Sequence, residues 1–184
     1  MPPSRARWFS VHLDRKCAPW AFARGDPFRS IGALELFATL LCVMAFADDW
    51  PVMASGQISV TGATDNCGNT AVCSKLMTSK FPSVVVLAEL AAQLRTRKID
   101  LHLEWAPREQ NEHADALTND LFGEFDPSRR IGLDVNNVKF EVLKDYMDVA
   151  EALFQETVAA KQGPRPAKPP RRGLNQKLRT THPW

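Results

Sequence analysis

Three carboxylates stand where acids can do chemistry. Glu35 lies in the first turns of an apolar stretch, between Leu34 and Leu36. Asp65 follows a run of strand formers and opens the turn Asp65-Asn66-Cys67-Gly68-Asn69. Asp115 follows a second strand-like run and a loop, in the first turn of a short helical segment. Carboxylates that converge repel one another unless a divalent cation lies between them. Hard oxygen ligands of this kind favour Mg²⁺ or Mn²⁺. Each acid also has a plainer reading. Glu35 and Asp115 suit the positive end of a helix dipole, and Asp65 beside Asn66 and Gly68 suits a turn. Their arrangement in space decides between the two.

The elements that must position them follow from hydrophobic periodicity. Trp8-Phe9-Ser10-Val11-His12-Leu13 alternates and predicts a strand. Asp14-Arg15-Lys16 is a turn, and Pro19 to Ala23 predicts a second strand paired with the first as a hairpin. Gly25-Asp26-Pro27 breaks it, and Ser30 precedes a helix from Ile31 or Gly32 to Ala47, apolar on nearly every face and so deeply packed. Gln57 to Thr64 predicts a strand, and Thr70 to Lys80 a helix that Pro82 interrupts. Val84, Leu87, Ala88, Ala91 and Leu94 form a helical stripe after Ser83, closed by Arg95, Arg97 and Lys98. Leu101, Leu103 and Trp105 alternate with His102 and Glu104 as another strand, with His102 turned away from the apolar face. Asn111 caps a short helix to Leu121, and residues 123–133 are irregular. Val138, Val142, Tyr146, Val149 and Leu153 mark an amphipathic helix over about 138–160. If the strands 57–64 and 101–105 are parallel neighbours, their C-terminal ends share an edge, the place where ligands gather in open α/β sheets.

Composition narrows the class. The 184 residues are 45% hydrophobic and 24% charged, which excludes collagen-like, wholly disordered and disulfide-scaffold chains. The net charge of +2 hides an asymmetry: +4 over residues 1–30, −9 over 31–160 and +7 over 161–184. An acidic body gathers divalent cations, and basic ends meet phosphate. Cys17, Cys42, Cys67 and Cys73 show no metal-binding spacing and read as reduced thiols of an intracellular protein, with Cys42 in the core. The longest apolar run, Leu36 to Ala47, is twelve residues, short of the ~20 that span a bilayer, and residues 1–13 hold no signal-peptide core. The expectation is no membrane. Trp8, Trp20 and Trp105 read as packing residues rather than base-stacking platforms.

Three segments together resemble a ribonuclease H-like domain of the kind that retroelement polyproteins carry beside a reverse transcriptase. They are Ile31-Gly32-Ala33-Leu34-Glu35-Leu36, Thr64-Asp65-Asn66, and His113-Ala114-Asp115-Ala116-Leu117-Thr118. The last is similar to the family's A-D-x-L-[ST] helix start, and Trp105 to Asn111 resembles the loop before it. The resemblance covers about residues 8–125. It implies an α/β fold with a mixed sheet flanked by helices. It also implies four acids holding two Mg²⁺ or Mn²⁺ ions about 3.5–4 Å apart, and cleavage of the RNA strand of an RNA–DNA hybrid recognised by its 2′-OH and shape. Glu35, Asp65 and Asp115 map onto three of the four ligands. Asn66, Arg108 and His113 fall at the nucleic acid, where Arg108 suits a phosphate and His113 a proton shuttle; a solvated role is the alternative for both.

The family's first acid sits on a first strand, and three antiparallel strands precede its Glu helix. Only two strands are found here, and Asp14 is a poor substitute at a hairpin turn. The resemblance therefore implies a domain truncated at its N-terminus, without one strand and one catalytic Asp, with a reverse transcriptase domain as an upstream partner. The expected organisation is a ribonuclease H-like domain over 1–135, an amphipathic helix over 136–160 and a disordered basic, Pro-rich tail over 161–184. A non-catalytic nucleic-acid-binding module and a non-functional remnant are the alternatives.

Overall fold

The stretch with apolar residues on every face folds as helix α1 (Ile31–Phe46). In the computed structural model, which describes residues 2–23, 25–50 and 56–162, it is followed by β1 (Ile58–Thr64), α2 (Cys67–Lys75), α3 (Ser83–Arg97), β2 (Ile99–Trp105), α4 (Glu112–Thr118) and α5 (Leu143–Gln162). The fold is α/β. Its sheet among the described residues is one parallel pair, β1 beside β2, in register from Ile58 opposite Ile99 to Thr64 opposite Trp105. Parallel strands need a long crossover, and α2 and α3 supply it. Lys98 closes α3 with φ +56°, its N–H bonded to the carbonyls of Leu94 and Arg95, and turns the chain straight into β2.

The core forms where α1 packs on α3. Leu36, Phe37, Leu40 and Leu41 meet a cluster that includes Val85, Val86 and Leu90, all buried. Trp20 stands edge-on to Phe37 with ring centroids 5.3 Å apart. The 20-residue helical stretch Pro27–Phe46 is long and apolar enough to cross a membrane by length and composition, more than the twelve-residue run suggested. Its Ala33, Leu36, Phe37, Leu40, Leu41 and Val43 lie in the core of this fold. One flank of α1 is open, however. Cys42 is on the exposed, cleft-lining flank rather than in the core, although desolvation by its apolar surroundings still pushes its thiol up to about 11.

The expected hairpin does not form, so the mixed sheet is not found among the described residues. Pro19 begins a 3-10 turn, Pro19–Phe22, that buries Trp20 and Ala21 on one side. Two adjacent apolar residues, one large and one small, reach one core this way, which an alternating strand would place on opposite faces. Of the segment 8–13, only Trp8 pairs, in a single parallel bridge with Arg130. Its ring lies between Phe122 and Phe125 at 5.1 and 5.4 Å, under the Arg130 guanidinium, and its Nε1 donates to the Asp126 carbonyl at 2.9 Å. Asp14 is indeed a turn residue: its carboxylate accepts the N–H groups of Lys16 and Cys17. The hydrogen bond from the Cys17 amide, then that from Lys16, holds its carboxyl below the ordinary value.

Two helices differ from the periodicity reading. α2 starts at Cys67, not Thr70, and ends at Lys75, because Asn66 caps it and Leu76 takes the left-handed conformation. α5 starts at Leu143, after Val138 and Val142, and its packed face is Leu143, Met147, Ala150 and Phe154. Tyr146, Val149 and Leu153, the expected core stripe, are exposed. The reason lies at its N-terminus. Glu89, fully buried on α3, accepts the N–H groups of Glu141, Val142 and Leu143 at 3.0, 2.7 and 2.8 Å. Those donors have no intrahelical acceptor, so α5 begins where Glu89 meets them, and that anchor sets its rotation. Phe154 then stacks on Phe81 at 5.2 Å. The expected tail lies, from residue 163 onward, outside the described residues.

Glu89→Ala strips three buried N–H groups of their acceptor. We expect a loss of about 3 kcal/mol or more, read by urea denaturation, with Glu89→Gln between the variant and the parent.

Candidate functional site

The loop after β1 is built by asparagines. Asn66 Oδ1 accepts the Asn69 N–H at 3.2 Å and caps α2. Gly68 passes so close that a Cβ there would sit 2.9 Å from that oxygen, so the first turn of α2 needs a residue without one. Asn66 Nδ2 donates to the Glu35 carboxylate, and Asn69, itself buried, donates to the Gly32 carbonyl at 3.0 Å. Two side chains thus tie the end of β1 to the first turns of α1. Trp105 Nε1 donates to the Asp65 carbonyl at 3.2 Å from the end of β2. These bonds place Asp65 beside Glu35 at the C-terminal end of the strand pair.

Glu35, Asp65 and Asp115 line one cleft of about 780 Å³ between α1, β1 and α4, together with Arg108. All three acids are half-buried. Arg108 Nε donates to Asp115 Oδ2 at 3.2 Å. That bond, the Asp115 charge and the more distant Asp65 charge hold the guanidinium above its ordinary value. A cation is therefore already paired with Asp115 and feels the charge of Asp65. A fourth acid, Asp49, lines the far end of the cleft and pairs with Arg7. Fourteen residues separate it from Glu35, about 21 Å at helical rise, too far to share an ion.

The sequence reading brought Glu35, Asp65 and Asp115 together, and the fold does the same. Two expectations meet other roles. Asn66 is a helix cap and a donor to Glu35. His113 is not among the cleft-lining residues; it stands edge-on to Phe125 at 6.3 Å, with Nδ1 3.9 Å from Glu124. Trp105, read as a packing residue, is 52% exposed. Asn69 escaped notice because nothing in its spacing marks a residue that reaches back to a helix 37 positions earlier.

The oxygen donors suit a hard divalent cation in type. Their arrangement does not: among the described residues no three His, Cys, Asp or Glu side chains form a group that could hold a metal ion. Glu35 is engaged by Asn66, and Asp115 by Arg108.

Asn66→Ala removes the α2 cap and the donor to Glu35. We expect about 1–2 kcal/mol of lost stability by thermal or urea melts. Asn66→Asp keeps the cap but sets two carboxylates face to face. Its deficit at neutral pH should shrink as pH falls below the ordinary carboxylate range, where that of Asn66→Ala should not.

No family model, curated protein or solved structure matches this chain.

Proposed function

We propose that this chain carries a ribonuclease H-like domain of retroelement origin. Its ancestral activity is metal-dependent hydrolysis of RNA in RNA–DNA hybrids, and this chain by itself is incomplete for that chemistry. One observation carries the reading. Three acids from three separate elements gather at one cleft, at the C-terminal end of a parallel strand pair. Ligand sites of open α/β sheets form at such an edge. In this reading Glu35, Asp65 and Asp115 are the carboxylates that a Mg²⁺ or Mn²⁺ ion would meet. Arg108 is the group that would meet a phosphate oxygen of the hybrid, at the cost of its bond to Asp115.

Non-catalytic binding of nucleic acid is the second reading. The cation already paired within the cleft and the exposed indole of Trp105, bonded to the Asp65 carbonyl, support it. Arg suits phosphate and an exposed aromatic suits a base.

A labelled RNA–DNA hybrid in Mg²⁺ or Mn²⁺ tests the first reading. The full chain should cut no faster than its Asp65→Asn variant. It should bind Mn²⁺ weakly, with Kd on the order of 1 mM, broadening resonances at Glu35 and Asp65 in a way that Asp65→Asn abolishes. Cutting that depends on Asp65 would overturn the incompleteness, and Mn²⁺ without effect at these residues would overturn the metal reading. For the second, Trp105→Ala should weaken hybrid binding about fivefold to a hundredfold, with the parent's affinity falling steeply as salt rises. Unchanged affinity sinks that reading.

A further inference from the structure

Main-chain bonding along β1 runs one way. In a parallel pair, alternate residues of a strand bond to the same neighbour. Ile58 donates to the Lys98 carbonyl and the Thr64 carbonyl accepts from Ala106, so the even-numbered residues bond toward β2. Ser59, Thr61 and Ala63 aim their N–H and C=O groups at the opposite edge, and all three are exposed. No main-chain partner meets that edge among the described residues. The two faces of the sheet differ. Val60, Leu101 and Leu103 share the face that lines the 780 Å³ cleft, opposite Cys42, Val43 and Phe46 of α1. Ser59, Thr61 and Ala63 share the other face with Asp100, His102 and Glu104. An unpaired edge with one apolar and one polar face is what an added strand of alternating residues fits.

Charge narrows the occupant. Of the four acids that line the cleft, Asp49 is paired with Arg7 and Asp115 with Arg108. Among the described residues no cation pairs with Glu35 or Asp65. Both stand at the C-terminal end of β1, so a strand laid along the edge brings one of its ends to two carboxylates that lack a counter-charge. A second copy's β1 does not supply it: residues 57–65 hold no Lys or Arg and end on Asp65. A phosphate backbone fits worse, because it would meet apolar side chains along the edge and these carboxylates at its end.

We propose that the open edge of β1 docks an extended, basic segment of a partner protein as an added strand. Its alternate residues are apolar and cover the α1 side of the sheet, and a Lys or Arg at one end meets Glu35 and Asp65. The inference goes beyond the proposed function and holds whether or not the cleft takes a metal ion.

The test titrates the full chain with a soluble peptide about as long as β1, alternating valine with threonine and carrying lysine at each end. The same peptide with glutamate at each end is the control. Amide hydrogen exchange at Ser59, Thr61 and Ala63 should slow at least about tenfold with the lysine peptide at saturation, with the α3 amides unchanged. The glutamate peptide should bind at least about tenfold more weakly, and the gap should narrow as salt rises. Thr61→Pro removes an outward N–H without touching a bond to β2, and should abolish binding. Asp65→Asn leaves the backbone intact and should narrow the preference for lysine, which keeps the test decisive if the proline variant fails to fold. Edge amides that ignore the lysine peptide overturn the proposal, as does equal affinity for the two peptides. So does protection already present in the free chain: independent of concentration, it means that the chain covers its own edge, and growing with concentration, it means a second copy. Protection by an RNA–DNA hybrid where the peptide gives none overturns it in favour of nucleic acid.

Discussion

A single buried carboxylate ties the start of α5 to the core of this molecule. Glu89 has no exposure, and burying a charge costs several kcal/mol unless hydrogen bonds replace its water. Here they do: three backbone donors from the start of α5 and the amide of Gln93, which in turn accepts from Arg97. The positive end of the α5 dipole faces the same charge. Because α3 also packs on α1 and runs directly into β2, the bond network that fixes α5 is continuous with the core and the sheet. Residues 135–154 are therefore docked by polar satisfaction at Glu89 together with the apolar contacts of Val135, Leu143, Met147 and Phe154.

That anchored framework leaves a large opening on its other side. A helix apolar on every face is built to be covered all round, yet among the described residues α1 packs on α3 on one flank and lines the cleft with the other. Among the described residues the parallel pair is likewise half-satisfied, since strands with parallel neighbours are ordinarily buried. Unpaired edge, bare helix flank and strand-end acids all meet at the same place. Physically, the cleft is a surface that asks for a partner along its length and for positive charge at one end. Arg108 partly meets the second demand by lying against Asp115 and near Asp65. This pairing offsets part of the negative charge of the cleft.

The N-terminal segment shows how side-chain size overrides alternation. Trp8 to Leu13 has a strand's pattern, but an indole between two phenylalanines and beneath a guanidinium gains more from that pocket than from a ladder with no long partner. Its one bridge, to Arg130, is the by-product of that anchoring. Trp20 and Ala21 follow the same logic, buried together on one side of a turn that Pro19 initiates.

Much was legible from residues alone. The α1 and α3 stripes, both strands and the turn at Asp65 follow from local rules: period 3.6, period 2, and the preference of Asp, Asn and Gly for turns. That two strands would end at one edge follows from their being parallel neighbours, while the grouping of Glu35 with Asp65 and Asp115 rested on the family resemblance. Tertiary structure decided the rest. Which face of α5 is buried depended on Glu89, an acid 54 residues before Leu143, and α5 carries two adjacent apolar stripes between which periodicity does not choose. Whether Asn66 contacts a ligand or caps a helix depended on where Glu35 came to rest. The state of the acids depended on Arg108 folding back seven residues onto Asp115. In each case the deciding partner is distant in sequence or chosen by rotamer, and hydrophobic pattern, a property of neighbours along the chain, holds no information about it.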